Sequence, residues 1–320
     1  HMNIIVTGGC GFIGHNVVNK LQAEHQVTSY DSLTDYGIIN ATELSKLHWE
    51  RKKFMKGSRV TGDIRDLKKV AGVFASESPD VVVHLASFPR AKVVNNDPIV
   101  GADVMSSALM KLLTTSKLNK VKRFVYISSS MVYGDFANGV TEEEVCKPKG
   151  AYAILKYSGE LLVKDYCEAN NIEYVIIRPS AVYGPRDVED RVASKFLLNA
   201  MRNETVTVHG ASEILDFTYV DDIANGICLA TLSPNAANKT YNMTRSIGYT
   251  LLDAAKMAVK MTNSQSAIVV VDRDRMFPSR GTLSIEKAII DLNYSPTVDL
   301  EEGFTHYYEW LNTSDSVRRH

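Results

Sequence analysis

The chain holds 15 tyrosines, and only Tyr152 has a lysine four residues later, in Tyr152-Ala153-Ile154-Leu155-Lys156. On a helix, positions i and i+4 share a face, so Lys156 would stand beside the phenol of Tyr152. A neighbouring cation favours phenolate over phenol and draws the pKa down from its usual value of about 10. Such a phenolate can take the proton of an alcohol while hydride leaves the carbon. Upstream, Ser129 lies where the apolar run Arg123-Phe124-Val125-Tyr126-Ile127 turns into Ser128-Ser129-Ser130, and its hydroxyl can bond the same alcohol oxygen. A tyrosine packed on a lysine stem at a surface would give the same spacing. What argues against that here is a loop near the N-terminus that suits a hydride acceptor.

That loop is Gly8-Gly9-Cys10-Gly11-Phe12-Ile13-Gly14, between the apolar run Asn3 to Thr7 and a helical stretch opened by Phe12 and Ile13. Gly8, Gly11 and Gly14 allow a tight turn and close approach of backbone to a pyrophosphate, and the helix start supplies amide donors. Asp31 closes the second strand, where a carboxylate can accept both ribose hydroxyls and repel a 2′-phosphate. No arginine or lysine comes next in Ser32-Leu33-Thr34, so NAD is favoured over NADP. Asp63 and Ile64 could hold the edge and face of the adenine, although the same segment also reads as a helix cap before Leu67. Leu85, Ala86 and Ser87 come after a strand on the side where a ligand would lie, and the small residues permit close passage. His84 reads as a structural strand residue. Pro179, at the end of another strand, is also expected beside the cofactor.

These residues need a frame that delivers strand ends to one edge. Asn3 to Thr7, Gln26 to Tyr30, Asp80 to Leu85, Arg123 to Ser128 and Tyr174 to Ile177 read as strands. Helical stretches alternate with them, among them Ile99 to Leu118 and Ala151 to Asn170. The pattern predicts an α/β fold with a doubly wound parallel sheet of the Rossmann kind. Asp221 to Leu232 reads as a helix capped by Asp221, and Val206-Thr207-Val208 and Lys239 to Met243 as strands. The expected division is a cofactor domain of residues 1–179 plus 217–243 and a smaller substrate-binding region of 180–216 plus 244–312. The polar tail 313–320 is expected to fray.

A net charge of −1 and a pI near 6.8 give no polyanion-binding surface, so nucleic acid is not an expected partner. No apolar run approaches the roughly 20 residues of a membrane span. His1-Met2 reads as a tag-cleavage scar, and no signal peptide is expected before the first strand. Cys10, Cys146, Cys167 and Cys228 match no zinc spacing and read as free thiols in a reducing cytoplasm, with no metal expected.

The chain resembles an extended short-chain dehydrogenase/reductase of the nucleotide-sugar epimerase/dehydratase group. The resemblance runs nearly end to end. It rests on the glycine loop, Gly62-Asp63-Ile64-Arg65-Asp66, His84-Leu85-Ala86-Ser87 and Ser128-Ser129-Ser130-Met131-Val132-Tyr133-Gly134. Tyr152 to Lys156, Arg178-Pro179-Ser180-Ala181-Val182-Tyr183-Gly184-Pro185, Asp216 to Asp222 and Leu300-Glu301-Glu302-Gly303 continue it. It implies tightly held NAD, a nucleotide-diphosphate sugar substrate, Ser129, Tyr152 and Lys156 as the catalytic triad, and a homodimer through the 99–118 and 151–170 helices.

Departures narrow the group. Dehydratases carry an acidic pair after the catalytic hydroxyl residue, where this chain has Ser130 and Met131, both expected at the substrate. Epimerase-reductases add a cysteine and a histidine, and no cysteine stands in that stretch. What remains suits a 4-epimerase. A 4-dehydrogenase or 4-keto reductase would share the triad, and a dinucleotide-sensing regulator would use the fold without chemistry. Asp103, Ala181 and Leu215 replace residues that many members use, Leu215 standing where an arginine grips the diphosphate. Arg186, Arg191 and Arg280 are candidates for that task, each also readable as surface charge. Arg90 and Lys92 could face the sugar, Lys92 at a position resembling one that is basic in epimerases of sugar uronates.

Overall fold

Seven strands dominated by Val, Ile, Phe and Tyr lie side by side in a computed structural model that describes residues 1–35, 37–88, 91–187 and 190–313. Across the sheet they run Lys239–Asn242, Glu173–Arg178, Arg123–Ile127, Val81–His84, Asn3–Thr7, Gln26–Asp31 and Ser58–Thr61, all parallel. Strands of this kind are covered on both faces, which is why they read as unbroken apolar runs. Ile4, Val6, Val83, Val125 and Ile177 face helices Phe12–Leu21 and Val220–Leu232. Ile5, Val82, Phe124 and Ile176 face Leu67–Glu77, Ala108–Leu118 and Ala151–Ala169. Strand order reverses between Asn3–Thr7 and Val81–His84, and such a switch point opens a crevice beyond the carboxyl ends of the strands.

Two expected helices differ in detail. The stretch predicted over 99–118 is Pro98–Ala102, a π-turn over Asp103–Ser107 and then Ala108–Leu118. The helix expected to be capped by Asp221 spans Val220–Leu232 with Tyr219 at its cap position, because the chain enters it directly from strand Thr218–Tyr219. Asp221 and Asp222 sit in its first turn, favoured by the helix dipole. The Asp222 carboxylate accepts from the amides of Thr297 and Val298 at 3.2 and 3.0 Å.

A third core holds the remaining elements. Phe196, Leu197, Val206, Val208, Ala254, Ala258, Phe304 and Leu311 pack beneath helices Val192–Met201, Leu251–Met261 and Leu300–Thr313. Strand Val206–His209 pairs in parallel with Ile268–Val271, and Ile214–Leu215 pairs antiparallel with Tyr249–Thr250. Residues from both expected domains cross over: Phe217 and Tyr219 join this core, while Ile285, Ala288, Leu292 and Tyr294 pack on the main sheet. Among the described residues, no helix is long and apolar enough to cross a membrane, no cluster suits a metal ion and no cysteine is paired.

Candidate active site

The glycine loop leaves the first strand at Gly8, whose φ of +70° lies in the left-handed region. A Cβ on Gly8 would come within 2.7 Å of the Ala86 amide, and one on Gly14 within 2.0 Å of the Gly8 carbonyl. Only glycine lets the loop pass this close to the fourth strand and to the helix beyond it. The cleft above it is lined by Gly11, Phe12, Ile13, Asp31, Asp63, Ile64, Leu85, Ala86 and Ser87, which the structure brings together along one groove. Each Asp31 oxygen already accepts one backbone amide, from Cys10 at 2.9 Å and Leu33 at 2.8 Å, which fixes the carboxylate toward the groove. Burial pushes its pKa up, against the pull of those amides and of Arg51. Asp63 is forked by Arg65 at 2.8 Å, which holds its carboxyl below the usual range. Arg65 also pairs with Asp103 at 3.4 Å, which gives Asp103 a partner outside the groove.

His84 is buried within the strand. Its Nδ1 lies 2.6 Å from the Thr7 hydroxyl, which itself accepts from the Ala86 amide, and burial pulls the imidazole down to about 3. The Ser87 hydroxyl is buried and has no hydrogen-bond partner among the described residues. A buried hydroxyl is costly without a partner, so this atom in the groove fits a polar ligand group. Together with the glycine cradle, it fits a dinucleotide.

The three residues expected to do chemistry stand around the carboxyl end of strand Arg123–Ile127. Ser129 comes after strand Arg123–Ile127 in extended conformation, and its Oγ accepts from the Met131 amide at 3.1 Å. Tyr152 and Lys156 lie on helix Ala151–Ala169, which starts beside Asn95: the Tyr152 amide donates to the Asn95 side chain at 3.0 Å. Lys156 is buried, donates to the Ile127 carbonyl at 2.9 Å and lies 6.0 Å from the centre of the Tyr152 ring. Burial draws its ammonium down to about 8, with Glu160 pulling the other way. Pro179 borders the same region, its carbonyl accepting from the Ser130 amide at 2.9 Å. This arrangement can hold an alcohol between two hydroxyls and pass its proton to the phenol oxygen.

Beneath it lies a network that the sequence reading missed. Glu160 accepts from Ser128 at 2.5 Å and from Arg178 at 2.6 and 3.0 Å, with both side chains buried. Arg178 continues to the Tyr133 hydroxyl, which donates to Asn242. The available signal was an acidic residue four positions beyond Lys156 on a helix face that packs inward.

The expected substrate contacts divide. Ser130 is buried and bonds Ser180 at 3.0 Å, while Met131 packs with Ala91, Ala153, Tyr152 and Phe277. The Arg280 guanidinium lies 5.4 Å from the Phe277 ring centre, one side chain from that cluster, and has no hydrogen bond or ion pair among the described residues. Burial draws it down to about 10, with Glu213 opposing. Lys92 is exposed on helix Ala91–Asn96. Arg191 pairs with Asp187 at 2.9 Å and both line the dinucleotide groove. Arg186 turns away: its Nε donates to His15 at 2.9 Å and it stacks on Phe54, so its charge is not aimed at a diphosphate. Arg90 lies outside the described residues. Leu215 is buried against Tyr249 and supplies no cation. Ala181 has a φ of 43°, a conformation in which asparagine is at ease and alanine is strained.

The fold and groove define a dinucleotide enzyme. Residues 4–244 match the NAD dependent epimerase/dehydratase family, and the chain belongs to it, with NAD as its cofactor. The UDP-glucose 4-epimerase of Thermotoga maritima, solved with UDP-glucose, is 26% identical, with 97% of this chain and 99% of that one covered and a TM-score of 0.88. The UDP-glucuronic acid 4-epimerase of Bacillus cereus, solved with UDP-glucuronic acid and NAD, is 27% identical over 97% of this chain and 98% of that one, with a TM-score of 0.87. A dTDP-glucose 4,6-dehydratase of an Actinoplanes species is 27% identical over 98% of this chain and 99% of its own length. Epimerases and dehydratases thus both stand near this sequence.

Proposed function

We propose that the protein is a nucleotide-sugar 4-epimerase. The observation that carries this reading is the pair of residues next to Ser129: Ser130, tied to Ser180, and Met131, in an apolar cluster, with no carboxylate at either position to drive loss of water. Tyr152 takes the proton of the sugar 4-hydroxyl, Ser129 holds the same oxygen, and Lys156 keeps the phenolate charged. NAD held by the glycine loop and Asp31 would supply the acceptor and donor for the C4 hydride. The 4-keto sugar turns over in the pocket, and Tyr152 gives the proton back when hydride arrives on the other face. Nothing is consumed.

In this reading, residues 1–179 with 217–243 hold NAD, and 180–216 with 244–312 hold the sugar nucleotide, with Arg280 as its anion contact. Two chains pair through helices that expose Ile99, Ile154 and Leu161. The test is incubation with UDP-, GDP-, CDP- and dTDP-sugars, with products resolved by NMR and absorbance tracked at the NADH band. Inversion at C4 without net NADH is expected. A keto-sugar with accumulating NADH would mean a 4-dehydrogenase, and a 4-keto-6-deoxy product a dehydratase.

Asp31→Ala should weaken NAD by about ten- to a hundredfold, since hydrogen bonds to a charged acceptor each hold about 1.5–3 kcal/mol. It should also narrow the preference over NADP, because the charge that repels a 2′-phosphate is gone. Titrating both cofactors checks this, and unchanged selectivity would refute the assigned role.

A further inference from the structure

Helix Ala41–Lys52 turns Leu44, His48 and Arg51 toward the dinucleotide groove at helical spacing. Arg51 is 4% exposed, and its donors go to main chain of two segments that border that groove. Nη1 donates to the Cys10 carbonyl in the glycine loop at 3.0 Å. Nε and Nη2 fork onto the Arg186 carbonyl, at 3.0 and 2.7 Å, in the segment just after strand Val182–Tyr183. A second relay runs parallel to it. His15 Nδ1 lies 2.8 Å from the Gly11 carbonyl and so carries the proton, which leaves Nε2 to accept from Arg186 Nε at 2.9 Å. The Arg186 guanidinium then rests 4.3 Å from the centre of the Phe54 ring. Arg186 has a φ of 68°, a left-handed conformation that a non-glycine residue keeps only where its surroundings hold it. Asp187, the next residue, lines the groove.

We infer that Arg51 and the His15–Arg186 pair form a latch that holds the Arg186–Asp187 segment against the glycine loop and so retains NAD through the catalytic cycle. These are positioning residues. They bond the backbone that walls the groove and take no part in proton transfer. Guanidinium suits the task because its rigid planar fork grips one carbonyl with two donors while a third reaches the other segment, a geometry that a compact ammonium does not reproduce. The inference deepens the proposed function, because an epimerase that returns its hydride gains from a cofactor that never leaves.

The test is exchange of NAD from the purified holoenzyme, chased with deuterated NAD and read by native mass spectrometry. It requires no turnover, so it reads the latch even if no sugar is epimerised. Arg51→Met should release NAD roughly ten- to a hundredfold faster than wild type, the scale expected when hydrogen bonds from a charged donor are lost. Turnover should acquire a dependence on added NAD that wild type lacks, read as an apparent KM for NAD. Arg51→Lys, which keeps the charge but loses the bidentate fork, should fall between. Wild-type release from folded Arg51→Met would overturn the inference, as would rapid exchange in the wild type itself. Should Arg51→Met not fold, Arg186→Ala breaks the His15 relay without unburying Arg51. Faster release there supports the latch, and an unchanged rate overturns it.

Discussion

Tyr152→Phe should lower kcat by about 10²–10⁴-fold, the range that positioned acid–base groups contribute, while leaving NAD in place. The phenol oxygen is the one atom removed, and in the proposed mechanism it is the atom that exchanges a proton with the 4-hydroxyl. The backbone around it does not depend on that atom: the Tyr152 amide is held by Asn95, and its ring packs against the Ala91, Met131 and Ala153 cluster, which phenylalanine would also fill. The groove that would hold the cofactor is built from the glycine loop, Asp31 and residues 85–87, none of which the substitution touches. Steady-state kinetics on the sugar nucleotide found in the NMR panel, with bound NAD counted by native mass spectrometry, checks both halves. Turnover within a few-fold of wild type would assign the proton transfer to another group. Loss of NAD along with turnover would mean that the phenol hydroxyl anchors the cofactor, and would leave the proton transfer unassigned.

The parts of this site legible in the sequence share one property: each is imposed by local chain geometry. The glycines are required where the loop passes under the Ala86 amide, Asp31 ends a strand, and Tyr152 and Lys156 need only one helical turn between them. The buried parallel strands announce themselves because both faces must be apolar. What escaped reading depends on contacts far apart in the chain. Arg186 sits beside a proline and a glycine after a strand, as a phosphate-gripping arginine would, but His15 and Phe54 capture it from the other side of the fold. Arg51 lies among lysines and glutamate on a helix with little apolar signal, where surface charge is the natural reading. Its burial comes from carbonyls more than 100 residues away and at the N-terminal loop. The cap expected at Asp221 failed for a related reason. Sequence offers a carboxylate before an apolar run, whereas the structure delivers the chain into the helix from a strand two residues earlier.

Glu160→Ala should be the most destabilising single substitution in the neighbourhood of the site, by about 3–5 kcal/mol, because removing one partner of a buried ion pair leaves the other charge uncompensated. Glu160 is 2% exposed and faces two donors, the Arg178 guanidinium and the Ser128 hydroxyl. Without it, Arg178 keeps only the Tyr133 hydroxyl at 3.0 Å and a longer contact to the Glu142 carbonyl. Ser128, adjacent to Ser129, loses its acceptor. Lys156 loses the anion that offsets its desolvation, so its ammonium should titrate at a still lower pH and kcat should fall sooner on the alkaline side. Guanidinium chloride unfolding of the mutant and of a Glu160→Leu/Arg178→Met double mutant separates the causes. If the penalty comes from an uncompensated charge, removing both partners should recover much of the lost stability, as exchange of a whole buried pair for apolar side chains commonly does. A double mutant as unstable as the single one would point instead to packing of the Ala151–Ala169 helix on the sheet. A loss below about 1 kcal/mol in Glu160→Ala, the range of an exposed ion pair, would mean that water reaches the pair and that Arg178 is not buried in solution.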